Sequence, residues 1–328
     1  MRRREFMSLL SGLAACPPAA QAEPRRDARR IGVLISGAEN DWEMQAPLAA
    51  FKRGLETLGW TEGGNLRIDY RFMAAKLDQL EPLAKELIAL QPDAILVRGT
   101  PMTKMFQREG RNIPIVFVGV SDPVGAGLVA SLARPGGNVT GHLLYEEGIP
   151  GKWMALLKEI APRTARIALM SNPTLSPFDY FVRAARKVAP SLGVEVLPMP
   201  SESAADVARS IDTAAQLSDS ALVVLPDPTG VLNRDLIVSQ TAARRLPTVY
   251  AFRVFVAAGG LMSYDSDIVD HYAAAATYID RILRGAKPLD LPVQAPVRYQ
   301  TIINLKTAKA LGLDVPPSLL VRADEVIE

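Results

Sequence analysis

A chain of 328 residues with 48% hydrophobic and 22% charged side chains has the composition of a globular protein that buries a sizeable interior, which excludes a disordered chain. That length exceeds one ordinary core and favours two lobes. Thirty-seven Lys and Arg against 35 Asp and Glu, scattered without a basic stripe, exclude a surface that holds nucleic acid by counterion release.

The first element is a cationic start, Arg2, Arg3 and Arg4, followed by the short apolar stretch Met7 to Ala15, the pattern of an export signal over residues 1–22. The stretch is too short for a lasting anchor, and no later segment reaches the roughly 18 apolar residues that spanning requires. Arg3-Arg4-Glu5-Phe6-Met7 approximates a twin-arginine signal, although short arginine motifs also occur in general secretory signals. Cys16 is the single cysteine, so no internal disulfide forms. Leu13-Ala14-Ala15-Cys16 reads as a lipobox that leaves a lipid-anchored Cys16 at the mature N-terminus. Ala20-Gln21-Ala22 reads equally as a signal-peptidase site that discards it. Both readings place the mature protein in the periplasm.

After a charged stretch, Ile31 to Ile35 has the length and β-branching of a buried parallel strand. Leu48, Phe51, Leu55 and Leu58 recur at helical spacing, with Gly59 at the C-terminal cap position. The alternation continues with a strand over Leu66 to Arg71, a helix over Leu77 to Leu90, and strands over Ala94 to Val97 and Ile115 to Val118. Such a βαβα series predicts a parallel sheet covered by helices on both faces.

Near Thr140 to Tyr145 the pattern pauses and then restarts. Arg166 to Ser171 echoes Arg30 to Ser36, Ser220 to Pro228 echoes Asp93 to Pro101, and Leu246 to Tyr250 echoes Ile113 to Phe117. Three echoes in one order predict two lobes of duplicated architecture. A further strand at Gly260 to Tyr264 and a helix at Ile268 to Leu283 precede a proline-rich crossing at Pro288, Pro292 and Pro296, which suits a hinge.

No Gly-x-Ser-x-Gly elbow, Walker loop or kinase motif occurs, so an enzyme is not expected. His142 and His271 have no metal-ligand spacing, and no metal or cofactor is expected. Gly125-Ala-Gly127-Leu-Val-Ala130 has the glycine pattern of a dinucleotide loop. However, Ser121 to Val124 separates it from the preceding strand, and Arg134-Pro135-Gly136-Gly137 would stop its helix after about two turns.

The chain resembles the ABC-transporter substrate-binding proteins related to the tryptophan- and tyrosine-binding lipoproteins. The resemblance rests on Phe51 to Leu55, Ile113 to Phe117, Ser121 to Val124, Gly127 to Leu132 and Arg134 to Gly141. It continues through Phe255 to Tyr264, Arg281 to Gly285, Ile303 to Gly312 and Pro316 to Leu320. It implies a type I periplasmic-binding fold: two doubly wound α/β lobes joined by three crossings and closing like a hinge. We divide the chain into a signal over 1–22, an N-terminal lobe over 30–143 plus 267–290, and a C-terminal lobe over 144–266 plus 291–328.

Open α/β sheets bind ligands at the carboxyl ends of their strands. That rule selects Ser36, Gly37, Thr100, Pro101, Ser121 and Asp122 in the first lobe, and Asn172, Asp227, Tyr250, Phe252 and Asp265 in the second. For an aromatic amino acid, Ser36, Gly37 and Thr100 would hold the carboxylate and Asp227 the ammonium, while Trp42, Tyr145, Tyr250 and Phe252 would flank the ring. Each has a plainer alternative: Ser36 and Thr100 as helix caps, Asp122 as a turn residue, Tyr250 and Phe252 as core. Arg98 departs from the small residue usual in the resembled family. It is either a solvated surface charge or a fork for an anionic ligand, in which case a dicarboxylate or aromatic acid is as suitable as an amino acid. The resemblance implies a monomeric receptor for an ABC permease and its ATPase. A receptor signalling ligand occupancy to a membrane sensor would use the same hinge.

Overall fold

The computed structural model describes residues 28–39, 42–74 and 76–328, without the side chains of Trp42, Glu43 and Leu77. The export signal and Cys16 lie outside the described residues, as does the side chain of Trp42. Within the described residues no helix is long and apolar enough to cross a membrane.

The first half of the chain alternates strands and helices: β1 (Arg29–Ile35), α1 (Trp42–Thr57), β2 (Leu66–Phe72), α2 (Leu80–Ala89), β3 (Ala94–Arg98), α3 (Thr100–Glu109), β4 (Ile115–Val120) and β5 (Val139–Leu143). The strands form an all-parallel sheet in the order β2-β1-β3-β4-β5. Alternate side chains of these apolar strands enter two separate cores. Ile31, Leu96 and Val118 join one on the α1 face, whereas Leu34, Val97 and Phe117 join the other beneath α2 and α3. Burial on both faces is why the strands read as continuous apolar runs rather than alternating ones.

The second half continues with α4 (Ile149–Ile160), β6 (Arg166–Ser171), α5 (Phe178–Leu192), β7 (Glu195–Pro200), α6 (Ala204–Gln216) and β8 (Ser220–Val224). It proceeds through α7 (Pro228–Leu232), α8 (Arg234–Ala243), β9 (Thr248–Tyr250), α9 (Arg253–Ala257) and β10 (Met262–Ser266). Helix α10 (Ile268–Leu283) crosses back and packs on α1 and the first sheet. There the bare Gly54 permits close approach: a Cβ at that position would lie 2.7 Å from that of Ala276. The chain ends with β11 (Tyr299–Asn304), α11 (Leu305–Ala310), α12 (Pro317–Arg322) and β12 (Glu325–Ile327).

The second sheet runs β12-β11-β10-β9-β8-β6-β7, with only β11 antiparallel to its neighbour β10. Its β7-β6-β8-β9-β10 portion repeats the order of the first sheet, so the sequence echoes are structural equivalents. Each pairs a strand with its counterpart: β1 with β6, β3 with β8, β4 with β9. Cores on both sides of the second sheet complete a doubly wound lobe.

Three crossings join the lobes. The first passes through Leu144 and Tyr145, the second through Ser266 and Asp267, and the third through residues 295–298. They are tied together: the Ser266 hydroxyl donates to the Leu144 carbonyl at 2.8 Å, and Gln300 Nε2 donates to Asp267 Oδ2 at 3.1 Å. Residues 291–294, which the sequence reading assigned to the C-terminal lobe, pack with the first lobe instead. Leu291 and Val293 enter its two cores, and Gln294 exchanges backbone hydrogen bonds with β5, accepting from Leu143 and donating to Gly141. Their apolar side chains and β-pairing outweigh the flanking prolines as a signal of where the crossing begins.

Candidate functional site

Because both sheets present their carboxyl ends toward each other, the loops after β3, β4 and β6 face one another across a gap. A cavity of about 690 Å³ occupies it. Thr100, Pro101, Lys104 and the Asp122–Ala126 turn form one wall, and the stretch from Pro173 to Tyr180 with Arg183 forms the other. One wall therefore belongs to each lobe, and the size suits a small organic molecule.

On the first-lobe wall, Thr100 opens α3, whose N-cap is Gly99 at a φ of 84°, a left-handed conformation that glycine adopts without strain. Proline follows at the first turn, where its missing N–H leaves no partner wanting. Asp122 accepts from Gly125 N at 2.8 Å, so its carboxylate closes a turn while one edge reaches the cavity. The glycine-rich stretch from Gly125 to Ala130 makes consecutive turns rather than the helix of a dinucleotide loop. Ser36 and Gly37 are half-buried at the end of β1, away from the cavity lining, and Gly37 O accepts from Ala74 N. Ser121 is buried behind the wall.

Several second-lobe candidates have other duties. Asp227 caps α7: its carboxylate accepts from Gly230 N at 3.0 Å and is only 5% exposed. Burial pushes this carboxyl up to about 6, against the opposing pull of N–H donors from Gly230, Asn172 and Thr229. Asn172 organises the turn before α5, donating to Thr229 Oγ1 and accepting from Thr174. Tyr250 is a core residue: it is 1% exposed, stacks on Phe255 at 4.9 Å and shares a hydrogen bond with Thr241. Its position in β9 puts it in the core that also takes Ile211, Ile237 and Phe255. Phe252 is half-buried at the N-cap of α9, against the cores on both faces of its sheet.

At the hinge, a tighter group forms. The Tyr145 hydroxyl lies 2.6 Å from Asp265 Oδ1 and also meets the Ala251 carbonyl. Burial drives the Asp265 carboxyl up to about 7, while Tyr145, the Arg253 N–H and the charge of Arg98 pull it down. Arg98, the last residue of β3, is half-buried and lies across Gly119, where a Cβ would stand 3.5 Å from its Cγ.

Sequence reasoning missed an aromatic group. Tyr299 stacks on Tyr264 at 5.2 Å and on Tyr145 at 6.4 Å, beside Trp153, which meets Tyr145 edge-on at 5.2 Å. Tyr180, at the N-terminal turn of α5, stands half-buried on the cavity wall. Its distance in sequence from the strand ends hid it. The rule that ligand groups follow strands selects the first residue or two, whereas this loop is six residues long.

His142 and His271 are both buried, and burial lowers each to about 4, with the neighbouring histidine adding to the effect at His271. Among the described residues no group of three or more His, Cys, Asp or Glu side chains is arranged to hold a metal ion.

The model of the ABC transporter substrate binding protein family matches residues 33–327. The chain belongs to this family. A tyrosine-binding protein of Clostridioides difficile is 26% identical over 264 residues, covering 80% of this chain and 75% of that protein. Among solved structures, an ABC domain from Streptococcus pneumoniae in complex with L-Trp is 26% identical with a TM-score of 0.83, covering 92% of this chain and all of that one. A conserved domain protein from Vibrio cholerae is likewise 26% identical, with a TM-score of 0.81, covering 91% of this chain and 99% of that one. The doubly wound pair of lobes is the type I fold of periplasmic solute-binding proteins.

Proposed function

We propose that the chain is the extracytoplasmic receptor of an ABC importer, exported by its N-terminal signal, which captures a small molecule between its lobes and presents it to a permease with its ATPase. The observation that carries this reading is the cavity of about 690 Å³ with one wall from each lobe, placed beside three tied crossings. A hinge there lets one ligand hold both walls together, which is how binding energy becomes closure. An aromatic amino acid or related aromatic carboxylate fits the half-buried Tyr180 on the wall and the tyrosine stack at the hinge. L-Trp in the pneumococcal relative supports the same class. The site binds without chemistry, and the receptor works as a monomer.

Thermal-shift screening of the mature protein against aromatic amino acids, aromatic acids and dicarboxylates tests the proposal. A ligand at a hundred times its dissociation constant adds about 2.7 kcal/mol of stability and raises the melting temperature measurably. Calorimetry on the hits is expected to give a dissociation constant of about micromolar or tighter. A panel in which no compound raises the melting temperature refutes the ligand class.

A further inference from the structure

The charged groups around the cleft differ in how they are satisfied. Lys104 and Arg183 are exposed, so water serves their donors, and the exposed Arg108 pairs with Glu109. Arg253 is bidentate on Glu325. Arg98 is half-buried, and its guanidinium makes one hydrogen bond to a described residue, 3.6 Å from the thioether sulfur of Met44, a weak acceptor. No described carboxylate forms an ion pair with it. Asp265, a carboxyl on which the charge of Arg98 acts, is held by Tyr145 and by the backbone N–H of Arg253. A planar fork of five donors, two residues before the cavity wall at Thr100, therefore lacks a matching acceptor among the described residues.

The aliphatic stem of Arg98 lies against Gly119, which takes a φ of 73°, at ordinary contact distance. The stem emerges on the hinge side, where its charge acts on Asp265 and Tyr145 of the second lobe and on His271 and Tyr272 of α10. A half-buried guanidinium without a protein carboxylate keeps donors free for a ligand that enters the cleft.

We propose that Arg98 is the specificity-determining residue of the cleft: it grips a carboxylate of the ligand through two parallel N–H donors and selects carboxylate-bearing molecules over amines of the same shape. This rests on the receptor reading above and adds which end of the ligand lies at the hinge. The carboxylate sits against Arg98, and the remainder of the ligand extends toward Thr100 and Tyr180.

The test compares wild type, Arg98→Ala and Arg98→Lys by calorimetry with L-tyrosine, L-tryptophan, 3-(4-hydroxyphenyl)propionate, tyramine, benzoate and succinate, with circular dichroism checking each variant's fold. In wild type, compounds with a carboxylate should bind at least tenfold better than tyramine. In Arg98→Ala the best carboxylate should weaken by roughly 10- to 100-fold, the range of one charge-assisted pair. Arg98→Lys should recover part of that loss, since a point charge replaces a fork. Tyramine binding as well as L-tyrosine, an Arg98→Ala variant within threefold of wild type, or a wild type that takes no carboxylate at all would each overturn the assignment. Binding of benzoate or succinate alone, lost in Arg98→Ala, upholds Arg98 while refuting the aromatic amino acid reading.

Discussion

Replacing Asp227 by Asn separates two roles of one buried carboxyl. Asn is as good an N-cap as Asp, so the contact to Gly230 N survives, while one of the other N–H donors around it loses its acceptor. That loss is worth about 1 kcal/mol and does not vary with pH. The ionisation does vary. A carboxyl held at about 6 in the folded protein, against 3.8 when unfolded, binds its proton more tightly when folded. Wild-type stability from this group is then full below about pH 4 and falls as pH rises, levelling off above about 6, and Asn removes the fall. At about 1.4 kcal/mol per pH unit between the two values, Asp227→Asn should gain about 2.4 kcal/mol relative to wild type between pH 4 and pH 7. Denaturant unfolding followed by circular dichroism, at intervals across that range, reads the difference directly. Two stability curves that stay parallel within about 0.5 kcal/mol would refute the argument that burial governs this carboxyl.

Other expectations come from separate parts of the molecule. Gly141→Ala places a Cβ 2.0 Å from the Phe117 carbonyl oxygen at a φ of 153°, so it should destabilise by more than about 3 kcal/mol or prevent soluble expression. The buried His142 and His271, each lowered to about 4, keep their stability near neutrality and lose it as pH falls from 6.5 toward 4. His271→Leu should flatten that acid limb in a melting-temperature series. Asp267→Ala removes the side chain that accepts from Val269 N at the start of α10 and should cost about 1 kcal/mol by chemical denaturation. Small-angle scattering should show a smaller radius of gyration with saturating ligand, and identical curves would count against closure.

The duplicated fold was legible because it is written in side chains that must be buried on both faces. Ile31 to Ile35 and Arg166 to Ser171 announce equivalent strands through the same apolar run, and Gly59, at a φ of 92°, ended the first helix where expected. The site was legible only in outline. Thr100, Pro101 and Asp122, which line the cavity, were selected because they closely follow strands. Asp227 follows one too, but its carboxylate turns onto the helix it begins, a choice made by a three-residue contact that strand counting does not register. Tyr250 took the core alternative because an aromatic residue near a strand end serves a core as readily as a cleft. Tyr180 and Tyr299 went unseen because their roles depend on where a long loop and an antiparallel edge strand arrive, which is tertiary information.

The pairing of Gln294 with β5 leaves little slack in the third crossing. Anchored by Val293 on one side and Tyr299 on the other, it offers only residues 295–298 to absorb a rotation. Val297, 96% exposed in that short span, touches neither core. The sequence contains a single cysteine, Cys16, ahead of the lobes. In protein processed at Ala22, Val297→Cys would therefore be the sole thiol. A solvatochromic dye there would turn the hinge itself into an optical reporter, reading occupancy without any label inside the cleft.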